Sequence, residues 1–275
     1  MPVISTNTAA NTALRYLNNN SAAQSESLAK LSSGSRIVSA KDDASGLAIA
    51  TSMNADVTVL NQAATNVTSG TSVLNTADGA LSNIADILQR MKSLTAQAQS
   101  GSSSSDDISY IDAEYQQLLE EVDDITTSTT FNGITLLDGT SDYGSSAGVD
   151  FMVGTSSSDV ISVKLGDADT AALLISGTSI TSSSASGLMD KIDDAITDVS
   201  KMRADVGATL SRFEFRGDVI STSLENLESA ASAITDVDIA SEQTNFTNAQ
   251  TLTSAAISAL SQANSMSQSL LKLLQ

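Results

Sequence analysis

One segment of the sequence matches a nucleophile motif. Gly144-Ser145-Ser146-Ala147-Gly148 fits the pattern G-x-S-x-G, in which a sharp turn exposes a reactive Ser. That Ser requires a His as its base, and the chain of 275 residues contains no His. We therefore interpret the match as a chance occurrence in a loop rich in Ser and Gly, and we predict no catalytic residue.

Clusters of acidic residues are the other candidates for a catalytic or metal-binding site. Adjacent acids occur at Glu120-Glu121, Asp123-Asp124 and Asp193-Asp194, but neighbours on a helix point to different sides and cannot act as an acid/base pair. Gly166-Asp167-Ala168-Asp169 offers oxygen ligands, yet it lacks the Gly and Glu of a helix-loop-helix calcium site. Asp42-Asp43 stands where a helix begins, which favours a capping role. We predict no metal site and no cofactor.

The composition excludes further classes of function. The chain has no Cys and no His, so zinc, haem and iron–sulfur ligand sets are absent. Its 32 acidic and 13 basic residues give a net charge of −19, which argues against nucleic-acid binding. No apolar run exceeds five residues, so we predict no membrane insertion. The first residues show no cleaved secretory signal, which leaves open the cytosol or another export route.

Both ends of the chain are almost free of charge. Residues 1–35 contain only Arg15, Glu26 and Lys30 as charged residues, and residues 240–275 contain only Glu242 and Lys272. By contrast, residues 100–170 hold fourteen acids against one Lys. Disordered tails are usually charged and poor in Leu, whereas these ends are rich in Leu. We therefore expect both ends to be buried against other protein, through Leu14, Leu17, Leu28, Leu31, Leu252, Leu260, Leu270, Leu271, Leu273 and Leu274.

Apolar residues recur at alternating steps of three and four over long stretches, which is the pattern of coiled-coil helices. One helix is predicted over 46–99, where it would span about 80 Å at ~1.5 Å per residue. A second seam runs from Met189 to Ile234 and is broken only at Arg203 and Gly217. A third, shorter seam contains Ile108, Ile111, Tyr115, Leu118, Val122 and Ile125.

The terminal segments continue the same spacing. The predicted seam of the first terminal segment is formed by residues 10, 14, 17, 21, 24, 28 and 31, and that of the last by 249, 252, 256, 259, 263, 266, 270 and 273.

Helical spacing stops at 32–35, at 101–105 and between about 129 and 187, where Asn132-Gly133 favours a tight turn and 160–165 alternates like a strand. We predict a mainly α fold, a long antiparallel coiled-coil rod with paired terminal helices and a small β-hairpin region. A coiled coil that stays monomeric or dimeric is the alternative.

The sequence resembles bacterial flagellin, the subunit of the flagellar filament. The motifs that carry the resemblance stand in family order: Leu31-Ser32-Ser33-Gly34-Ser35-Arg36-Ile37, Asp42-Asp43-Ala44-Ser45-Gly46-Leu47-Ala48-Ile49, Ile87-Leu88-Gln89-Arg90-Met91, Thr130-Phe131-Asn132-Gly133, Arg203-Ala204-Asp205-Val206-Gly207-Ala208 and Ala230 to Ala240.

The resemblance implies an organisation in four parts. Residues 1–33 and 239–275 would form the inner filament core, and 34–44 would be a spoke or linker. Residues 45–138 and 188–238 would form a helical rod outside the core. Residues 139–187 would be a short outward-facing insert. The implied function is a non-enzymatic structural subunit, exported unfolded by the flagellar type III apparatus, which self-assembles into a helical tube for motility in the extracellular flagellum.

The resemblance also implies partners. They are copies of this chain, with or without other flagellins, an export chaperone, and the filament cap and hook-associated proteins. The segment that the innate immune receptor for flagellin recognises matches at Gln89, Arg90, Leu94 and Glu114. Two other functions stay open, a hook–filament junction protein of the same family and a coiled-coil adhesion module.

Overall fold

A computed structural model describes residues 6–100, 104–145, 147–181 and 184–273. Within these residues, helices predominate, the two terminal helices pair, and the four β-strands form two hairpins, so the predicted fold class is confirmed. None of the described helices combines the length and hydropathy of a membrane-spanning segment. In chain order the elements are α1 (Thr8–Ser33), α2 (Ala44–Gln99), α3 (Ser105–Ser128), β1 (Thr130–Phe131), β2 (Ile134–Thr135), β3 (Val149–Met152), β4 (Val160–Val163), α4 (Ala185–Thr235) and α5 (Ile239–Leu273).

The chain divides into two compact units. The terminal unit comprises the residues up to Ala55 together with those from Asn226 onward, and it contains α1 and α5. The central unit comprises Asp56–Glu225 and contains α3 and all four strands. Each unit is described by itself below.

The core of the central unit follows the predicted seams of α2 and α4. Two contacts, Asp78 to Arg203 and Lys92 to Asp193, show that the two helices run antiparallel. Their seam side chains are almost fully buried, and burial of one such side chain contributes about 1.5–3 kcal/mol. On α2 these residues are Leu74, Leu81, Ile84, Leu88 and Met91, and on α4 they are Ile192, Val199, Val206, Phe213 and Ile220.

Arg203, which breaks the second predicted seam, and Gly70, a small residue on α2, have complementary partners. Arg203 lies at a seam position, and its Nε donates to Asp78 Oδ1 at 3.0 Å. Gly70 leaves space on α2 that the fully buried ring of Phe213 fills, since a Cβ on Gly70 would lie 2.7 Å from the ring. Phe213 also contacts Phe151 of β3 edge to face, with 5.8 Å between ring centroids. The apparent interruptions are therefore part of the packing.

Helix α3 is anchored at its start and along one side. The Ser104 hydroxyl accepts from the Asp107 N–H while the Asp107 carboxylate accepts from the Ser104 N–H, which forms a capping box. Tyr115 is fully buried, and this burial raises the pKa of its hydroxyl. The buried seam contains Leu119, whereas Leu118 of the predicted seam is only half-buried.

Side chains of α3 also hold the irregular segment before α4. Asp112 accepts from the Ile180 N–H at 2.6 Å, and Asp123 accepts from both the N–H and the hydroxyl of Thr170 at 2.9 Å. These acids therefore satisfy backbone groups of the loop, a structural role that their spacing did not reveal.

The predicted turn and strand are both present. Asn132 and Gly133 have φ angles of 52° and 79°, the left-handed conformation that a two-residue hairpin turn requires. They join β1 to β2 in an antiparallel pair. The predicted strand at 160–165 appears as β4, which pairs antiparallel with β3. The G-x-S-x-G match around Ser145 lies in the loop before β3, with Ser146 outside the described residues.

Candidate assembly surfaces

Helices α1 and α5 form an antiparallel pair. Asn7 caps α1 through its Oδ1, which accepts from the Ala10 N–H at 2.9 Å, and its Nδ2 donates to the carbonyl of Ala263 near the end of α5 at 3.1 Å. At the other end of α1, the hydroxyl of Ser27 donates to Glu242 near the start of α5. Polar contacts thus fix the alignment of the pair at both ends.

Small side chains dominate the face that each helix turns toward the other. We call this set of buried and half-buried positions the inner stripe. The most deeply buried members are Ser27, Ala249 and Ala256, which lie at 7–9% exposure. The inner stripe contains Ala10, Ala13, Leu17, Asn20, Gln24, Ser27 and Leu31 on α1, and Phe246, Ala249, Thr253, Ala256, Leu260 and Ala263 on α5.

The predicted seams of the terminal helices are therefore wrong at every second position. On α1, Ala13 and Ser27 face the partner helix, while Leu14 and Leu28 are 45% and 55% exposed. On α5, Leu252 is 54% exposed although the predicted seam contains it. On α1 the small side chains of Ala13 and Ser27 take the seam positions, and Leu14 and Leu28 are turned outward. The signal that sequence reasoning missed on α1 is the series Ala13, Asn20 and Ser27 at seven-residue spacing.

A second apolar stripe follows from this arrangement, on the exposed side of each helix. We call it the outer stripe, and it contains Leu14 and Leu28 on α1 with Leu252 and Met266 on α5, all between 45% and 59% exposed. Their spacing of fourteen residues corresponds to about four helical turns, so they lie along one side of each helix. Exposed apolar residues arranged in a row mark a surface that binds other protein.

The predicted core residues are thus divided between the two stripes. Leu17, Leu31 and Leu260 are half-buried and belong to the inner stripe, whereas Leu14, Leu28 and Leu252 belong to the outer stripe. The side chains of Leu270, Leu271 and Leu273 and the whole of Leu274 lie outside the described residues.

A groove on the pair lies beside Leu252 of the outer stripe. The groove has a volume of about 500 Å³ and is lined by Ala13, Tyr16, Asn20, Leu252 and Ala256 together with neighbouring Ala side chains. Tyr16 is 55% exposed, and the guanidinium of Arg15 lies 5.7 Å from the centre of its ring. The groove contains no charged side chain, so an apolar side chain could enter it without removing an ion from water.

Three charged side chains of the terminal helices, Glu26, Lys30 and Glu242, have partners within the pair. Lys30 Nζ donates to Glu26 Oε1 at 2.9 Å, which raises the pKa of Lys30. The Ser27 hydroxyl that donates to the Glu242 carboxylate lowers the pKa of Glu242. These contacts offset part of the cost of covering the charges with other protein.

Hydroxyl groups on α5 are satisfied by the helix itself. The hydroxyls of Thr244, Thr251, Ser258 and Ser265, among others, donate to the carbonyl four residues earlier at 2.9–3.1 Å. A hydroxyl that already donates within its own helix does not need water or a partner donor site when another surface covers it. A surface rich in Ser and Thr can therefore be buried with little loss of hydrogen bonds.

The segment between α1 and α2 is held to the end of α4. Gly34 ends α1 with a φ of 71°, a left-handed conformation that favours Gly. Arg36 Nη2 donates to the carbonyl of Ile234 at 2.7 Å, at the C-terminal end of α4, and its N–H donates to the Thr235 carbonyl at 2.6 Å. Asp43 Oδ1 accepts from the Gly46 N–H at 2.8 Å and caps α2, in agreement with its predicted role.

The neighbouring Asp42 has a different role from the predicted helix cap. Its Oδ2 accepts from the N–H groups of Val38 and Ser39, which lie before it in the chain. These bonds, chiefly that from Ser39, lower the pKa of Asp42. Asp42 therefore stabilises the turn that leads into α2.

The four residues of the implied receptor surface lie in two environments. Gln89 is exposed, and the exposed side chains of Arg90 and Glu114 form an ion pair with 2.6 Å between Nη2 and Oε1. Leu94 is only 1% exposed, so it packs in the core and does not present its side chain to a partner. The contact implied for Leu94 is corrected to a packing role.

The acidic segment after β4 contains no metal centre among the described residues, where no group of three or more acidic side chains could hold an ion. Asp167 Oδ1 accepts from the Asp169 N–H, and burial raises the pKa of Asp167. This segment therefore serves as a structural turn.

Comparisons with known proteins identify the family. Residues 4–142 match the family model of the bacterial flagellin N-terminal helical region, and residues 189–274 match that of the C-terminal helical region. The chain belongs to the bacterial flagellin family. It is a structural subunit of the flagellar filament, and neither the junction protein nor the adhesion module is favoured.

Individual flagellins and filament proteins are similar over most of their length. A flagellar filament 30.7 kDa core protein of Treponema maltophilum is 39% identical over 89% of this chain and 90% of that protein. A flagellin of Halalkalibacterium halodurans is 38% identical over 91% of each chain. The crystal structure of Bacillus cereus flagellin covers 61% of this chain and 94% of that one, with a TM-score of 0.52 and 29% identity.

Proposed function

We propose that this flagellin polymerises through the outer stripes of α1 and α5. In this proposal, residues 1–33 and 239–275 form the inner core of the filament, and 34–44 connect it to a helical layer made of 45–138 and 188–238. Residues 139–187 face outward. The observation that carries the proposal is the pair of exposed, nearly uncharged apolar stripes on the terminal helices.

The energetics of the terminal pair support this proposal. The fully buried members of its inner stripe are Ser27, Ala249 and Ala256, which contribute little apolar area, and its Leu and Phe side chains are only half-buried. Each Leu of the outer stripe would contribute about 1.5–3 kcal/mol if a neighbouring subunit covered it fully. The terminal helices therefore gain more from contact with other subunits than from contact with each other.

The same features suit a chain that is exported unfolded. A weakly packed terminal pair opens at low cost, which favours passage through the type III apparatus and capture by a chaperone. We infer that the filament is extracellular, that the cap and hook-associated proteins contact its ends, and that the subunit has no enzymatic activity.

We also propose that Gln89, Arg90 and Glu114 form the surface for the innate immune receptor, without Leu94. The exposed ion pair of Arg90 and Glu114 presents a defined polar feature on α2 and α3. We expect Arg90→Ala to reduce receptor signalling by the monomer, and unchanged signalling would contradict this assignment.

The test of polymerisation compares two Leu→Glu variants. Leu252 is 54% exposed on the outer stripe, and Leu174 is 74% exposed in a loop of the central unit. Since both are exposed, neither change should disturb the monomer, which circular dichroism would verify. With filament seeds or ammonium sulfate, we expect electron microscopy to show filaments for wild type and Leu174→Glu but none for Leu252→Glu. Normal filaments from Leu252→Glu would refute the proposed surface.

A further inference from the structure

One member of the outer stripe is a methionine with a largely exposed side chain. Met266 of α5 is 59% exposed, more than any other methionine in the described part of the chain. Met152 of β3 follows at 37%, Met91 is fully buried, and the other methionines whose burial is described are half-buried. An oxidant dissolved in water therefore reaches the Met266 side chain most readily.

The composition and the surroundings make the thioether of Met266 the target of such an oxidant. The chain contains no Cys, so its methionine thioethers are the side chains that a mild peroxide oxidises. Residues 243–271 carry no charge. A neutral peroxide molecule can therefore approach Met266 without entering the hydration shell of an ion.

The reaction with hydrogen peroxide converts the thioether to a sulfoxide. A lone pair of the Met266 sulfur attacks one peroxide oxygen, so that an S–O bond forms and the O–O bond breaks. The other oxygen leaves as hydroxide and takes the proton of the transferred oxygen, which gives water. The sulfur is oxidised by two electrons and the peroxide is reduced. The product is a polar side chain in place of an apolar one.

The hydroxyl groups next to Met266 are not free to bind the sulfoxide oxygen. The Ser265 hydroxyl donates to the carbonyl of Ser261, and the Ser269 hydroxyl donates to that of Ser265, both at 3.0 Å. A sulfoxide oxygen accepts hydrogen bonds from water, and it would lose them when another subunit covers it. Burial of an acceptor without a donor is costly. Oxidation therefore weakens any contact that covers this position.

We propose that Met266 is an oxidation site for a hydroperoxide, and that a subunit with the sulfoxide joins the filament only after the sulfoxide is reduced. The inference rests on the proposed function, because it requires a neighbouring subunit to cover the outer stripe. Met266 is exposed in the monomer and covered in the filament, so the oxidant acts before assembly. Methionine sulfoxide reductases restore the thioether, which makes the block reversible.

The experiment compares wild type with two Met→Leu variants of the full chain. Met266→Leu removes the sulfur at the proposed site and keeps an apolar side chain of similar volume. Met152→Leu makes the same change at an exposed position of the central unit. Each protein is treated with hydrogen peroxide, which catalase then removes. Peptide mass spectrometry measures the sulfoxide at each methionine, and sedimentation measures the critical concentration for seeded polymerisation before and after treatment.

We expect peroxide to raise the critical concentration of wild type and of Met152→Leu about tenfold, since the covered sulfoxide oxygen lacks a donor. The critical concentration of Met266→Leu should not change. Methionine sulfoxide reductase with a dithiol should restore polymerisation of oxidised wild type, as the dithiol is oxidised to a disulfide and water is released.

Three results would overturn the proposal while leaving the proposed function intact. They are equal inhibition of Met266→Leu and wild type, normal polymerisation of wild type that carries the sulfoxide at Met266, and sulfoxide at Met152 without sulfoxide at Met266. Absence of filaments from untreated wild type would instead defeat the proposed function, and this role of Met266 with it.

Discussion

The central and terminal units are stabilised in different ways although both are built from heptad-spaced helices. The central unit fully buries large side chains from several elements, including Leu88 of α2, Tyr115 of α3 and Phe213 of α4. The pair of α1 and α5 buries Ser27, Ala249 and Ala256, and its Leu side chains are half-buried or exposed. One unit has a core completed within the chain, and the other exposes apolar side chains that we propose other subunits cover.

Because of this difference, we expect folding of the monomer and assembly of the polymer to depend on different units. A helix pair that buries mostly Ala and Ser does not offset the conformational entropy of about sixty ordered residues. The central unit offsets the conformational entropy of its own residues with its buried Leu, Ile, Phe and Tyr side chains. We therefore expect the central unit to be the stable part of the monomer, and the terminal pair to become stable only in the polymer.

The largest expected effect follows from removal of one terminal helix. Deletion of residues 240–275 removes α5 with its part of the outer stripe, so we expect a folded central unit that forms no filaments. Electron microscopy with seeds measures polymerisation, and thermal melting by circular dichroism measures the remaining fold. Filaments from the truncated chain would show that the terminal pair is not the assembly surface.

Two truncations to Ala compare the stability of the units directly. We expect Phe213→Ala to lower the free energy of unfolding by about 3–5 kcal/mol, because it leaves a cavity beside Gly70 and Phe151. We expect Leu17→Ala, on the half-buried inner stripe, to cost less than about 1 kcal/mol in the monomer. Urea unfolding of both variants gives the values. Equal costs would mean that the terminal pair has a core of its own.

Two Gly→Ala substitutions on α2 test how tightly the central unit is packed at two positions. At Gly79 nothing lies within 4 Å of an added Cβ, so Ala should stabilise the helix by about 0.5–1 kcal/mol. At Gly70 the added Cβ would lie 2.7 Å from the Phe213 ring. We expect a net loss of about 1–2 kcal/mol there, since overpacking outweighs the gain in helix propensity. Thermal melting of the two variants should shift in opposite directions.

The smallest expected effect concerns pH and the terminal pair. The pKa of Glu242 is below its ordinary value of 4.5, since the Ser27 hydroxyl donates to its carboxylate. Ionised Glu242 thus adds stability above that value, and the contribution disappears as pH falls through the lowered pKa. We expect amide exchange near Ser27 to lose protection below about pH 4 in wild type, and Glu242→Gln to remove this pH dependence. If Glu242→Gln kept the pH dependence of wild type, other titratable groups would be its cause.

Sequence reasoning succeeded where large apolar residues set the pattern. The seams of α2 and α4 were predicted because Leu and Ile recur with little competition from other faces. The hairpin turn at Asn132-Gly133 was predicted because its conformation restricts the residue types. The family resemblance rests on these same regions and on the motifs around α1 and α2.

Sequence reasoning failed where two apolar stripes lie on one helix. On α1, heptad steps fit both the Leu positions and the Ala and Ser positions, and the preference for large residues selected Leu14 and Leu28. In the structure Ala13 is half-buried and Ser27 is buried, whereas Leu14 and Leu28 are exposed. A groove beside α4 could not be predicted either, since its lining residues Lys164 and Lys201 come together only when the loop after β4 packs beside α4.

The hydroxyl groups that donate within α5 have a mechanical consequence for a filament. Bending a tube requires neighbouring subunits to slide slightly along one another, and directional bonds between them would resist that movement. Surfaces whose polar groups are satisfied internally, as at Thr251 and Ser258, contact their neighbours mainly through dispersion and apolar burial, which vary smoothly with small displacements. A polymer core built from such helices can therefore be cohesive and compliant at the same time.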